Sequence, residues 1–406
     1  MKTMFYYLRN ISLVLLLIMP LSTLSGHETQ STVKIVSSLP RQGDIKKTTD
    51  TFVNAFKMAL EEDEVLNDHF HIVYEDWDNS DINGHWDALK EANNAFKAVS
   101  DSDVMVYIGP GPSGAAKVSI PILNNADLLM ISPTATYPGL TKPGKGTFSE
   151  PEIYRPSGKP NFLRLAPTDE IQGAAAARWA HELGLKSAYV ISDGDVYGNG
   201  LALAFVESAK NLGIEIKNLH SNYDVIDSYT SDFGDLITTI DGFEPDLVFV
   251  GINASNNAGL LWKHLRTSSL ADRLTLMGGD NLMAPLFLQQ AKDAAEGTYI
   301  TSGGIPLSHY TGTQSTWADK YREKYNEDPS FYAIYAYETM KVALYAIKNA
   351  AKKDRSLVRD VAFSINIFSE GAMGQWSFDK NGDVSLNAIS VSKVSEGKVE
   401  FIKELN

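Results

Sequence analysis

Cysteine is absent from this 406-residue chain. That excludes a disulfide framework and a lipid-bearing cysteine at a processed end. The 8 histidines fall in no HExxH spacing and have no cysteine partners, so no zinc site is expected. Cations are scarce: 36 Lys and Arg stand against 50 Asp and Glu, a formal charge of −14. Phosphate backbones are held by Lys and Arg, so this balance argues against a nucleic-acid partner. Long apolar runs are missing beyond the N-terminal stretch, and no later segment could span a bilayer. The early run, residues 11–19, follows Lys2 and Arg9, is broken by Pro20, and leads into Ser22, Thr23, Ser25 and Gly26. It reads as a secretory signal peptide over residues 1–25, with cleavage expected after Ser25 and no stable membrane insertion of the secreted chain.

Signatures of catalysis and of cofactors are incomplete wherever they begin. GLTKPGKGT at 139–147 approaches a phosphate-binding loop, but Gly146 stands where Ser or Thr must follow the Lys, and no helix pattern follows. Asp76, Asp78 and Asp81, and DKNGD at 379–383, lack the spacing and terminal Glu of a calcium loop. DKNGD reads better as a hairpin turn. GPSGA around Ser113 is not a G-x-S-x-G elbow, and no His or acid can be assigned to activate the serine. The expectation is a protein without catalysis, cofactor or metal.

The length suggests two domains. Strand-length apolar runs at 33–37, 69–74, 105–108 and 128–131 alternate with helical periodicity, first through Phe52, Phe56, Ala59 and Leu60, then around 86–99. This is the βαβ pattern of a parallel sheet. His69 and His71 alternate with Phe70 and Ile72 and are expected to face solvent. Residues 139–160, rich in Gly, Pro, Lys and Ser, break the rhythm as a long surface loop, a rim or a docking surface. After 161–165 the alternation restarts, with strand candidates at 188–192, 214–217, 247–251, 275–277 and 298–301. Gly184 and Gly213 sit where helices should end. A helix is expected over 332–350, and Phe331, Tyr332, Tyr335 and Tyr337 read as core.

Residues 105–140 carry the most information. An apolar strand stops at Gly109-Pro110, and Ser113, followed by Gly114, Ala115 and Ala116, stands where a helix begins and is expected to cap it. The unpaired N–H groups of that first turn suit an anion such as a carboxylate. A second strand then ends at Ser132-Pro133-Thr134-Ala135-Thr136, so two hydroxyl-bearing turns reach one sheet edge, where α/β sheets bind ligands.

This segment resembles the leucine/isoleucine/valine-binding proteins of bacterial branched-chain amino acid ABC transporters, which are type I periplasmic binding proteins. The resemblance continues through NFLRLAPTDEIQGAAAARWA, ISDGDVYGNGLA, LMGGDN and DAAEG to GQWSFDKNGD. It implies an α/β fold of two Rossmann-like lobes with parallel central sheets, joined by a three-crossing hinge. The N-terminal lobe would comprise 31–164 and 304–386, and the C-terminal lobe 165–303 and 387–406. It implies a periplasmic protein that captures a small amino acid, branched-chain or related, between its lobes and delivers it to an inner-membrane ABC permease with ATPase subunits. A ligand sensor of the same fold, for an amide, urea or small carboxylate, is the alternative. Carried over, Ser113 and Thr136, with backbone near Gly111 and Ala135, would hold the ligand carboxylate. Asp280, an Asp where the best-known member has Glu, would hold the ammonium. Asp193 and Tyr197 lie at the mouth of the second lobe's first strand, with Tyr197 as a wall or hydroxyl. Two departures point to a more polar pocket than a leucine site: Asn253-Ala254-Ser255 where relatives have aromatics, and the cationic turn LPRQGDIKK at 39–47.

Overall fold

The computed structural model describes residues 31–63, 70–218, 224–226 and 229–405. The expected signal peptide at 1–25 and His69 lie outside them. The chain opens with β1 (Ser31–Leu39), α1 (Lys46–Glu61), β2 (Phe70–Asp78), α2 (Ala88–Ser100), β3 (Val104–Ile108), α3 (Ser113–Asn124), β4 (Leu129–Ser132) and β5 (Phe162–Arg164). These strands make one sheet in the order β2-β1-β3-β4-β5, every pair parallel. All five residues of β3 and all four of β4 are buried, as helices on both faces require. The α1 face through Phe52, Phe56 and Ala59 joins the core beneath the sheet. On the opposite side α2 starts at Asp87, whose side chain accepts from Lys90 N at 2.8 Å. His71 is exposed between buried Phe70 and half-buried Ile72.

The chain then crosses to a second unit. It contains α4 (Asp169–Glu182), β6 (Ser187–Ser192), α5 (Val196–Asn211), β7 (Glu215–Ile216), β8 (Asp224–Val225), α6 (Gly234–Phe243), β9 (Leu247–Gly251), α7 (Ala258–Leu265), β10 (Thr275–Gly278), α8 (Pro285–Ala291) and β11 (Tyr299–Gly303). Gly184 and Gly213 follow α4 and α5 with φ of 78° and 77°, the left-handed turn that glycine permits at a helix end. After β11 the chain returns with α9 (Gly312–Tyr325), α10 (Ala333–Ala350) and α11 (Arg355–Phe363). Buried along most of its length, α10 packs with α1 in the first core. A last crossing brings β12 (Ile389–Ser395) and β13 (Lys398–Leu405) onto the second sheet, whose order is β13-β12-β11-β10-β9-β6-β7, with β8 beside β6.

The second sheet is not wholly parallel. The β11–β12 and β12–β13 pairs are antiparallel. Residues 139–160 are also more organised than an open surface loop. Glu150, nearly buried, accepts from Tyr137 at 2.9 Å, Tyr154 at 2.5 Å and the Thr147 amide at 2.8 Å, and pairs with Lys117 at 2.8 Å. Burial opposes its charge, but those partners hold its pKa down to about 2.

Candidate functional site

The C-terminal ends of both sheets face one cleft. From the first lobe it is lined by Leu39 and Pro40 after β1, by Ile45 and Phe52 at the start of α1, and by Gly111 and Thr134 in the turns after β3 and β4. Ser330, Phe331 and Tyr332 join them from the turn before α10. The second lobe adds Asn253 after β9, then Asp280, Asn281, Met283 and Ala284 after β10. The lobes touch across it. Trp86 Nε1 donates to Asp195 Oδ2 at 2.7 Å, Tyr332 Oη to Asp280 Oδ2 at 2.9 Å, and His85 Nε2 lies 3.0 Å from the Ser255 carbonyl.

Asp280 is 3 % exposed. Its Oδ1 accepts from Tyr197 at 2.6 Å and from Gln172 at 3.0 Å, and its Oδ2 from Tyr332. Burial raises its pKa, against the pull of those three donors. Asp169, the first residue of α4, is fully buried beside it, and neither of its carboxylate oxygens has a hydrogen-bond partner. Burial and then the Asp280 charge push its pKa well above the ordinary range, while the neighbouring Thr136 hydroxyl and Arg164 act the other way. Thr136 Oγ1 is itself buried without a partner. The nearest buried cation, Arg164, is already ion-paired with Asp383 at 2.7 Å. Asp280 thus lines the cleft, while Asp169 and the Thr136 hydroxyl are buried beside it rather than on its wall, and Arg164 is already committed to Asp383; two buried acids so placed are costly until a positive group enters.

Ser113 is the first residue of α3 rather than its cap, a position Pro112 takes. The Ser113 hydroxyl accepts from the Tyr137 amide at 3.2 Å, so it joins the two turns instead of closing its own helix. Ala135 is buried with both backbone groups engaged, its N–H on Ser132 Oγ and its carbonyl on Arg164. Thr134, not Ala135, lines the cleft with Gly111. Asp193 faces its own turns: its Oδ2 accepts from Asn253 N, Asn253 Nδ2 and Asn256 Nδ2 at 2.8, 3.1 and 2.8 Å. Burial lifts its pKa to about 6. Asn253 reaches the cleft while bonded to Asp193 and to Asp195, and Tyr197 reaches Asp280.

Two expectations about the pocket are corrected. The turn at 39–47 is cationic in sequence but not toward the cleft. Arg41 turns to Asp50 and Asp76, and Lys46 to Asp50, leaving Leu39, Pro40 and Ile45 on the wall. The aromatics missing from that turn come instead from Phe52, Phe331 and Tyr332. Tyr332, Tyr335 and Tyr337 lie in the first core with Phe331 packed against it, as read from the sequence, but Phe331 and Tyr332 also reach the cleft wall, and Tyr335 donates to the Gly303 carbonyl at 3.2 Å. Sequence reasoning missed Asp169 and Gln172, both inside the block that carried the resemblance.

Residues 32–398 match the family described as periplasmic binding protein. The chain belongs to that family. It is 28% identical over 312 residues to the Leu/Ile/Val-binding protein BraC3 of Rhizobium johnstonii, covering 76% of this chain and 78% of that one. Among solved structures it resembles the branched-chain amino acid transporter substrate-binding protein LivJ of Streptococcus pneumoniae, in complex with isoleucine. There the TM-score is 0.75 at 25% identity, over 92% of this chain and 100% of that one. A solute-binding protein of an ABC transporter from R. palustris, in complex with benzoate, shares the fold at TM-score 0.75 and 15% identity, over 92% and 96% of the two chains. The type I periplasmic binding protein fold, two α/β lobes around a hinge, is therefore that of this chain. No helix among the described residues is long and apolar enough to cross a membrane.

Proposed function

We propose that this protein captures an α-amino acid with an apolar side chain between its lobes and delivers it to the membrane permease of an ABC importer. The lobes are residues 31–164 with 304–386 and residues 165–303 with 387–406, and the protein works in the periplasm without catalysing a reaction. The observation that carries this reading is the pair of buried acids, Asp169 and Asp280, with the Thr136 hydroxyl beside Asp169 and the buried Arg164 already paired with Asp383. Such a site wants an ammonium. The ligand carboxylate would meet the first turn of α3, with Ser113 and Thr136 at its edge and Gly111 and Thr134 lining the approach. Phe52, Ile45, Met283 and Phe331 give the side chain an apolar wall. Tyr197 and Asn253 orient the acids and the turns around them, and Asp193 shapes those turns. A benzoate-like acid would bring no positive charge to Asp169 and Asp280, which weighs against that ligand class here.

The test is calorimetric titration of refolded, ligand-free protein. Asp280→Ala is expected to weaken leucine binding by about a hundredfold or more, the cost of leaving a charged partner alone, with the circular dichroism spectrum unchanged. Undiminished affinity in a folded variant would remove Asp280 from the site.

A further inference from the structure

Arg164 ends β5, immediately before the first crossing between the lobes. Its side chain is completely buried, a position that guanidinium tolerates only when its donors are paired. Nε donates to Asp383 Oδ1 at 2.7 Å. One terminal nitrogen donates to the carbonyls of Ala135 at 3.0 Å and Tyr137 at 2.7 Å, and the other to Thr141 Oγ1. Asp383 also accepts from Thr141 at 2.8 Å, so the carboxylate and hydroxyl aim the fork together.

The two carbonyls that Arg164 holds flank Thr136. With both neighbours tied back, the Thr136 peptide and side chain have a fixed direction, although the turn after β4 is irregular. The hydroxyl held this way has no protein hydrogen-bond partner and lies beside the buried Asp169 carboxylate. Arg's planar fork can hold two carbonyls and a carboxylate at once, which a single ammonium cannot reproduce.

We infer that Arg164, aimed by Asp383, is a positioning residue that presents the Thr136 turn to the carboxylate end of the ligand. The inference rests on the proposal that this turn receives a carboxylate. It assigns Arg164 no contact with the ligand; its effect passes through the Ala135 and Tyr137 carbonyls.

Calorimetry with leucine and with leucinamide, which keeps the ammonium but lacks the carboxylate, separates this role from stability. In full-length secreted protein, Arg164→Lys is expected to weaken leucine about tenfold or more, as lost buried hydrogen bonds would, and leucinamide by less than about threefold. The preference for the acid over the amide then collapses. Asp383→Asn keeps the guanidinium and one acceptor oxygen. It should shift the preference in the same direction by a smaller factor, and it keeps the test available if Arg164→Lys does not fold. A lowered melting temperature with the acid-to-amide preference intact in both variants would overturn the inference and leave Arg164 a structural clamp. A wild-type protein that fails to prefer leucine over leucinamide would overturn the carboxylate reading itself, and the inference with it.

Discussion

Asp169 shows what a single buried residue beside the cleft contributes. It is buried beside another carboxylate with both oxygens unpartnered, and burial, then the Asp280 charge, raises its pKa. A carboxyl whose folded pKa exceeds its unfolded value contributes stability that is present at low pH and lost as pH rises through the folded pKa. An ammonium beside it favours the ionised form, so ligand binding should expel a proton and tighten as pH rises through the same window. Asp169→Asn, neutral and of the same shape, is expected to raise the melting temperature of the ligand-free protein at neutral pH by a few degrees. It should also abolish the proton release and weaken amino-acid binding more than about tenfold. Titration in two buffers of different ionisation enthalpy counts the proton, and an unchanged count with unchanged affinity would exclude Asp169 from the site. Its role was hidden in the sequence because an acid in the first turn of a helix is what the helix dipole favours anywhere. Asp280, by contrast, could be placed at the cleft from the sequence because it ends a buried strand in a Gly-rich turn and falls within the resemblance.

At the scale of elements, α5 of the second lobe comes close to the Tyr137 turn of the first. Gly200 in α5 faces the Tyr137 ring, and a Cβ built there would lie 2.7 Å from it. Tyr137 is in turn held by Glu150 of the 139–160 segment, so that loop helps set the position of a ring against which the second lobe closes. Gly200→Ala should raise the propensity of α5 by about 1 kcal/mol and leave the ligand-free melting temperature equal or higher. Leucine affinity should fall about tenfold, the factor that roughly 1.4 kcal/mol lost from the closed state would produce. Small-angle scattering with ligand would then report a larger radius of gyration than wild type; equal radii and equal affinities would show that closure does not need this contact. The elements here differ in how far sequence revealed them. β3, α3 and β4 were legible because full burial writes an unbroken apolar run and polar turns bound it. The β12–β13 hairpin was not, because the burial of β13 alternates along an edge strand and short alternating segments are ambiguous. The direction of Arg41 and Lys46 was misread because Asp76, which draws Arg41 away, arrives from β2 through the tertiary fold; for Lys46 the partner was local, Asp50 one helical turn on.

The whole molecule is two sheets whose ligand-facing ends meet, joined by a chain that crosses between them three times. That topology makes opening and closing the soft motion of the fold, and a ligand that contacts both lobes favours the closed state by its differential affinity. The acids lie in the second lobe and the α3 turn in the first, so on the proposed reading a zwitterion would bridge them by its two charges, and an apolar side chain would rest against Phe52 and Met283, one from each lobe. The most direct test of this arrangement is a thermal-shift comparison of the ligand-free protein with leucine, isoleucine, valine and phenylalanine, and with 4-methylpentanoate and benzoate, which lack the ammonium. A ligand well above its dissociation constant raises the melting temperature by mass action, by about 2.7 kcal/mol of stability at a hundredfold excess over Kd. The result expected is a clear rise with at least one of the amino acids and none with either carboxylate. Stabilisation by benzoate or 4-methylpentanoate, with no response to any amino acid, would contradict the assignment of Asp169 and Asp280 to an ammonium.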